Sequence, residues 1–516
     1  MGVPEDFLSW ARGMYVRQKK NKSGIISVQV IDKSSGAYKV IKTIGSSKDH
    51  SVVEDYLKQA RQWMVDKIGQ KELDFANHQE LFTKFVSGIK EINVAGTELL
   101  LGKLFDQIGF NRIRDDLFRQ LVIARLCFPS SKLRTTHYLE KYHGLPTNVN
   151  RVYRYLDKLH KKQKETVQQI SYHHTLKILN NEIRIVFYDV TTLYFEIDEQ
   201  DDLRKTGFSK EGKHQNPQIV LGLLVSTDGY PLAYEIFEGN KFEGHTMLPI
   251  IDTFKIKYGL NQLVVIADAG LLSGDNIKEL QEKGYQYILG ARIKNEKQEL
   301  QKSILALKLK DGESQMLIKD QHTKLVVSYS ARRAKKDKAN RDKALEKLEK
   351  QITSGKLTKS HINNRGYNKY LKLEGELQVS IDRQKFEADN NWDGLKGYLT
   401  NTELSKEAIM ENYSHLWKIE KAFRITKHDL KIRPIYHQLK RRIEAHICIA
   451  FVAYKIYKEL ERQLKEKETD LSPEKAIDIA KTIYSIKLVN PVNQQIIIHH
   501  AVITEDQKNL VRLFQL

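Results

Sequence analysis

The chain has 516 residues, with 85 Lys and Arg against 65 Asp and Glu, a formal net charge of +20 and a 41% hydrophobic fraction. It is longer than one ordinary domain and apolar enough to bury cores. Its two cysteines, Cys127 and Cys448, stand far apart, which excludes a disulfide scaffold; neither has zinc-spaced ligands beyond His446 beside Cys448. No apolar run approaches the roughly 20 residues of a bilayer-spanning helix. The first residues lack a charged-then-apolar leader pattern, so a cytoplasmic protein with no membrane partner is expected. The basic surplus favours a polyanionic partner, nucleic acid first, over the plainer alternative of a soluble protein that is merely basic.

In chain order, "SGIISVQVIDKSSGAYKVIKTIGS" alternates apolar and polar residues on both sides of a Ser-Ser-Gly turn and reads as a hairpin. A helix over 51–68 follows. From about Gly96 to Gln163 the pattern is helical throughout. Pro129 and Gly144 stop two of these helices, and serines cap the start of "SSKLRTTHYLEKYHG". The last of the set carries Arg151, Arg154, Lys158, Lys161 and Lys162. It reads either as the basic member of a helix-turn-helix or as the solvated face of an ordinary bundle. At Ile183 the texture becomes strand, hairpin, helix, strand, helix, strand, which makes a mixed sheet flanked by helices, an α/β core. Residues 295–390 interrupt it with short strands around the long charged helix "ARRAKKDKANRDKALEKLEKQI". "WDGLKGYLTN" returns as a strand, and residues 406–464 are strongly helical with a break at Pro434. The expected divisions are residues 1–90, strands and a helix; 91–175, a helical DNA-binding domain; 176–294 and 391–465, two parts of a catalytic core; 295–390, an α+β insertion domain; and 466–516, a C-terminal region.

Three acids stand out. Asp189 lies inside the bulky apolar strand "IVFYDVTTLYFE", where an unpaired charge is costly. Asp268 ends the buried strand "QLVVIADAG", at the carboxyl edge where open α/β sheets build sites. Either alone could be a cap or an ion-pair partner; two on strands of one sheet point to function. In "ENYSHLWKIEKAFRITKHDLKIRP", read as one helix, Tyr413, Trp417, Glu420, Arg424 and Lys427 fall near one line, beside an apolar stripe of Ile419, Phe423 and Leu430. The alternative there is a plain Glu420–Arg424 ion pair. Carboxylates gathered from separate elements suit Mg²⁺ or Mn²⁺, and two such ions can serve both ends of a phosphodiester displacement.

These segments resemble the DDE transposases of bacterial insertion sequences, in the branch with a strand-rich insertion and a Tyr-x2-Arg-x3-Glu-x6-Lys signature. Tyr413, Glu420 and Lys427 match it; Leu416 stands at the Arg position, and Arg424, one turn beyond Glu420, is the residue expected to substitute. "FYDVTTLYFE", "GFSKEGKHQNPQIVLGLLVSTDGYPLAYEIFEGN", "VVIADAGLLSGDNIKEL", "YSARRAKKDKANRDKALEK" and "WDGLKGYLTN" look like one subgroup of that family. The resemblance implies an RNase H-like catalytic fold, with Asp189, Asp268 and Glu420 as catalytic, metal-binding carboxylates. It also implies that Tyr413 and Lys427 hold phosphates at the element's ends, and that the protein acts as a homodimer on paired ends. Lys210, Lys213 and His214, in the loop after the first core strand, are further candidate DNA contacts. The expected reaction is metal-dependent cleavage of inverted-repeat ends and transfer of the 3′-hydroxyls into target DNA. The alternatives are a nuclease of the same fold without strand transfer and a non-catalytic DNA-binding regulator derived from a transposase.

Overall fold

The computed structural model describes residues 14–33, 36–68, 82–83, 85–159, 163–209, 212–260, 262–271, 273–363, 366–374, 378–490 and 494–516. The chain divides into two compact units: residues 1–90 with 487–497, and residues 91–486 with 498–516. In the first, the expected hairpin is β2 (Ile26–Asp32) and β3 (Lys39–Ser47), joined on its other side by β1 (Met14–Lys20), all antiparallel. Residues 34 and 35, the serines of the expected turn, lie outside the described residues. Val28 and Val30 of β2 bury against Val53 and Ala60 of α1 (His50–Ile68), so alternation in the strand and helical spacing in α1 meet in one small core.

The second unit begins in β4 (Ile89–Val94) and continues as helices: α2 (Lys103–Ile108), α3 (Asp116–Cys127), α4 (Lys132–His143), α5 (Val149–Leu159) and α6 (Gln163–Ile178). Asp115 and Ser131 cap α3 and α4 by accepting backbone N–H bonds, and Gly144 ends α4 in the left-handed conformation at φ 62°. On α5, Val152, Leu156 and Leu159 are buried while Arg151, Arg154 and Lys158 face outward. Lys161 and Lys162 lie outside the described residues.

The expected α/β core follows. β5 (Ile185–Tyr194), β6 (Gln218–Ser226) and β7 (Pro231–Glu238) form an antiparallel meander. After α7 (Met247–Tyr258) comes β8 (Val264–Ala267), parallel to β5, and after α8 (Gly274–Glu282) comes β9 (Gln286–Ala291), parallel to β8. The next stretch supplies α9 (Gln298–Ala306), β10 (Ser314–Ile318), β11 (Lys324–Tyr329), the long α10 (Ala331–Thr353), β12 (Leu371–Glu374), β13 (Gln378–Ile381) and α11 (Arg383–Ala388), before β14 (Leu395–Thr400) returns. The finished sheet has eight strands in the order β10-β11-β14-β9-β8-β5-β6-β7. Two strands of the inserted segment therefore extend the core sheet. Only β12 and β13 pair apart from it, over a small core of Leu348, Tyr370, Leu371, Val379 and Phe386.

The helices α12 (Lys406–Ser414), α13 (Trp417–Arg424) and the 27-residue α14 (Lys440–Glu466) cover one face of this sheet, and α7 covers the other. α15 (Pro473–Ala480), β15 (Tyr484–Val489), β16 (Ile496–Ala501) and α16 (Glu505–Phe514) close the chain. Alternation in the strands sorts residues between the two cores. Phe187, Leu193, Val264 and Ile266 belong to the α13–α14 side; Val186, Tyr188, Val190, Val265 and Ala267 belong to the α7 side. Among the described residues no helix is long and apolar enough to cross a membrane.

Candidate active site

Sheet register fixes the two aspartates. β5 and β8 pair from Ile185↔Val264 to Tyr188↔Ala267, where β8 stops. The next residue on each strand is Asp189 and Asp268. Continuing the same register, they are neighbours about 4.8 Å apart between backbones, on the face that carries Phe187 and Ile266. Beyond Tyr188, β5 has lost its β8 neighbour, so Asp189 flanks the notch where the sheet opens. One of its oxygens accepts the Val190 N–H at 2.7 Å.

Glu420 is an exposed residue of α13, which packs on β5. The helical segment around it is not the single straight helix its sequence suggests. α12 ends at Ser414 and α13 starts at Trp417. Across this junction His415, Leu416, Lys418 and Ile419 donate to carbonyls three residues back, a tightened turn that rotates each residue about 120° instead of about 100°. A π-turn over Ile425–Asp429 then loosens the other end. The expected line of five residues is broken accordingly. Trp417, Glu420 and Arg424 are exposed, but Tyr413 and Leu416 turn into the core, at 4% and 7% exposure. Leu416, at the signature's arginine position, packs among apolar residues that would desolvate a guanidinium. Among the described residues no ion pair joins Glu420 to Arg424; Arg424 acts instead on Asp429.

Tyr413 contacts Asp268 directly. Its hydroxyl donates to Asp268 Oδ1 at 3.1 Å, and burial, with Asp268 adding to it, raises its ionisation far above the ordinary tyrosine range. Room for that hydroxyl comes from Gly290 on β9: a Cβ there would lie 2.4 Å from Tyr413 Oη. The Tyr413 ring packs edge-on to Tyr398 of β14 at 4.9 Å. Lys396, two residues from Tyr398, sits over both rings and feels the charges of Asp268 and Glu420. Burial and the nearby Arg333 lower its pKa, and the two carboxylates oppose that shift. Sequence reasoning missed Lys396 and Gly290. The block "LKGYLTN" held Lys396 in view, but only strand order brings β14 beside β9 and the aspartates.

The other candidates are more scattered. Lys427 lies in the π-turn after α13 and is half-buried. Lys213 places its ammonium 5.7 Å from the Tyr194 ring centre. Tyr194 is five residues past Asp189, roughly 17 Å along the strand. His214 accepts the Ser209 N–H and packs near Phe208. Lys210 lies outside the described residues.

The donor set fits a hard divalent cation: carboxylate oxygens on an open notch, with no thiolate or imidazole among them. Among the described residues no three His, Cys, Asp or Glu side chains stand close enough together to hold a metal ion between them. The candidate donors are therefore Asp189 and Asp268, just past the last paired residues of β5 and β8, with Glu420 exposed on α13.

An eight-stranded mixed sheet with helices packed on both faces, and two aspartates at an internal strand end, defines a mixed α/β core. Residues 180–456 match the family model of the transposase DDE domain, and the chain belongs to that family. No curated protein matches it. Among solved structures it is similar to a piggyBac transposase synaptic complex with hairpin DNA, at 9% identity and TM-score 0.38, over 74% of this chain and 79% of that one. It is also similar to a Mos1 transposase paired-end complex with left transposon end, at 14% identity and TM-score 0.16, over 46% of this chain and 74% of that one.

Proposed function

We propose that this transposase cuts the ends of a DNA element and joins the freed 3′-hydroxyls to target DNA, using Asp189, Asp268 and Glu420 as metal-binding catalytic carboxylates. The observation that carries the reading is that Asp189 and Asp268 each follow directly on the last parallel pair of β5 and β8, Tyr188↔Ala267, on a sheet against which α13 packs. Asp189 and Asp268 would share one divalent ion, and Glu420 with an aspartate would hold a second. Bound there, Mg²⁺ or Mn²⁺ supplies an activated oxygen nucleophile and a stabilised leaving oxygen. Tyr413 holds the Asp268 carboxylate in one orientation by donating to it. Lys427 and the exposed Arg424 would take phosphates of the bound end, and Lys213 with His214 a more distant stretch of the same duplex. The outward Arg151, Arg154 and Lys158 of α5 support a DNA-reading role for residues 91–175, and the +20 charge supports DNA as the partner. Work as a homodimer on paired ends is part of the same reading.

The test is a plasmid carrying the DNA that flanks this gene on both sides, incubated with purified protein and Mg²⁺ alongside a target plasmid. Excised ends and joined products are expected. Cleavage that never yields joined product would favour a nuclease without strand transfer. Wild-type protein no more active than Asp189→Asn would sink the enzymatic reading and leave a DNA-binding regulator.

A further inference from the structure

Lys396 carries a charge on the active-site face that no side chain around it neutralises. It projects from β14 on the same side as Tyr398, one step nearer the open edge of the sheet than the row formed by Asp268, Gly290 and Tyr398. Its ammonium stands 4.4 Å from the Tyr413 ring centre and 5.2 Å from that of Tyr398. It makes no hydrogen bond or ion pair among the described residues, and Asp268 and Glu420 act on it only from beyond contact. Arg333, in the first turn of α10, adds like charge and reaches Asp337 only at 3.6 Å.

A cavity of about 410 Å³ opens beside it, lined by six Lys and Arg side chains and three aspartates. Those aspartates are taken. Asp389 receives Lys294, Lys369 and the Tyr370 hydroxyl, Asp393 holds Arg341, and Asp337 accepts from the Gly394 N–H and faces Arg333. Arg292 and Lys396 remain without an acidic partner among the described residues. Lys396 is half-buried beside the like charge of Arg333, a placement that an anion at this wall would relieve. On this wall of a DNA-processing site, that anion is a phosphodiester.

We propose that Lys396 is a further catalytic residue, whose ammonium donates to a non-bridging oxygen of the phosphodiester attacked at the Asp189–Asp268–Glu420 centre, with Arg333 and Arg292 taking the adjoining phosphate of the same strand. The inference rests on the cleavage reading above. In the step concerned, a water oxygen forms a bond to phosphorus as the bond from phosphorus to the 3′-oxygen breaks. The water gives up a proton to solvent, the 3′-oxygen takes one from solvent, and Lys396 keeps its proton throughout. Negative charge grows on the non-bridging oxygens as the phosphorus becomes five-coordinate, so a fixed cation there favours the transition state over the bound substrate.

Two measurements test this on the full-length protein. In single-turnover cleavage of an end duplex, Lys396→Met should slow the chemical step about 100-fold. Duplex affinity and melting temperature should barely change, and Lys396→Arg should recover part of the rate. The second uses Glu420→Gln protein, acetylated with and without the same duplex and read by mass spectrometry. DNA should shield Lys396 and leave the exposed Lys302 unchanged. Near-wild-type cleavage by Lys396→Met, or acetylation of Lys396 indifferent to DNA, would overturn the proposal. Shielding by DNA in a protein whose wild-type form never cleaves would support the phosphate contact while removing the transposase reaction itself.

Discussion

At the scale of single residues, the site depends on a buried tyrosine bonded to one aspartate. Removing that hydroxyl by Tyr413→Phe leaves the ring packing intact and deletes one hydrogen bond to a charged acceptor, worth about 1.5–3 kcal/mol. The expected outcome is a roughly tenfold or greater fall in the cleavage rate with little change in DNA affinity, read in single-turnover assays. Gly290→Ala attacks the same bond from the other side. Its methyl would lie 2.4 Å from Tyr413 Oη, so the tyrosine must leave Asp268, and activity should fall at least as far as in Tyr413→Phe. Leu416→Arg, which restores the family's signature on paper, puts a guanidinium where Leu416 is 7% exposed. It should destabilise the protein by several kcal/mol, visible as a lower denaturation midpoint. Asp189 and Asp268 stand out in the sequence because a carboxylate among β-branched and aromatic strand residues is costly to keep without a cation or a donor beside it, and the paired stretches of β5 and β8 end just before them. The role of Tyr413 does not, because spacing alone assigns it to the outer line of a helix.

At the scale of elements, the difference between sequence and structure comes from hydrogen-bond geometry. Tyr413 to Lys427 reads as a regular helix at about 100° per residue. Four bonds of the shorter i→i−3 type and one π-turn change that phase, and neither leaves a composition signal. The same limit applies to the sheet. Each strand from β5 to β9 was recognisable from its β-branched run and its bounding turn. Alternation, however, says which face a residue takes and nothing about which strand lies beside it. The β10 and β11 segments therefore read as parts of a separate insertion, although they extend the sheet through β14. A consequence for α10 can be measured. Its attachment runs through Arg341, held by Asp393 and Asn390, and Leu348 in the small β12–β13 core. Arg341→Ala leaves two polar partners unanswered in a half-buried site. Hydrogen exchange in α10 and in residues 389–393 should accelerate, while β5 and β8 keep their protection.

At the scale of the whole molecule, acid stability follows from buried histidines. Burial lowers His174 and His437 to about 3, and His446 shifts in the same direction. These groups are neutral when folded and gain a proton on unfolding below about pH 6.5. Their contribution is present above that pH and is lost as pH falls toward 3. Each histidine sets a slope of about 1.4 kcal/mol per pH unit in that window, before any discount for partial exposure. Melting temperature should fall steadily from pH 6.5 to 4.5, and His437→Asn should make that fall shallower. Unchanged pH dependence in His437→Asn would show that its neutrality does not contribute. The bulk charge of +20 gives the companion prediction that DNA binding weakens steeply with salt, with a slope that measures the phosphates engaged.

β14 enters the sheet between β9 and β11, about a hundred residues after β9 leaves the sheet, and Tyr413 comes 145 residues after its aspartate. On the ribosome this becomes a matter of timing. At roughly 5–20 residues per second, the aspartates are made many seconds before the strand and tyrosine that complete their surroundings. A chain stopped near residue 390 would contain both aspartates, yet the edges of β9 and β11 that β14 pairs with would be unpaired, and such apolar edges recruit other chains. Premature termination should therefore give aggregated fragments instead of a crippled nuclease, so the order of synthesis keeps the chemistry from starting before the protein is finished.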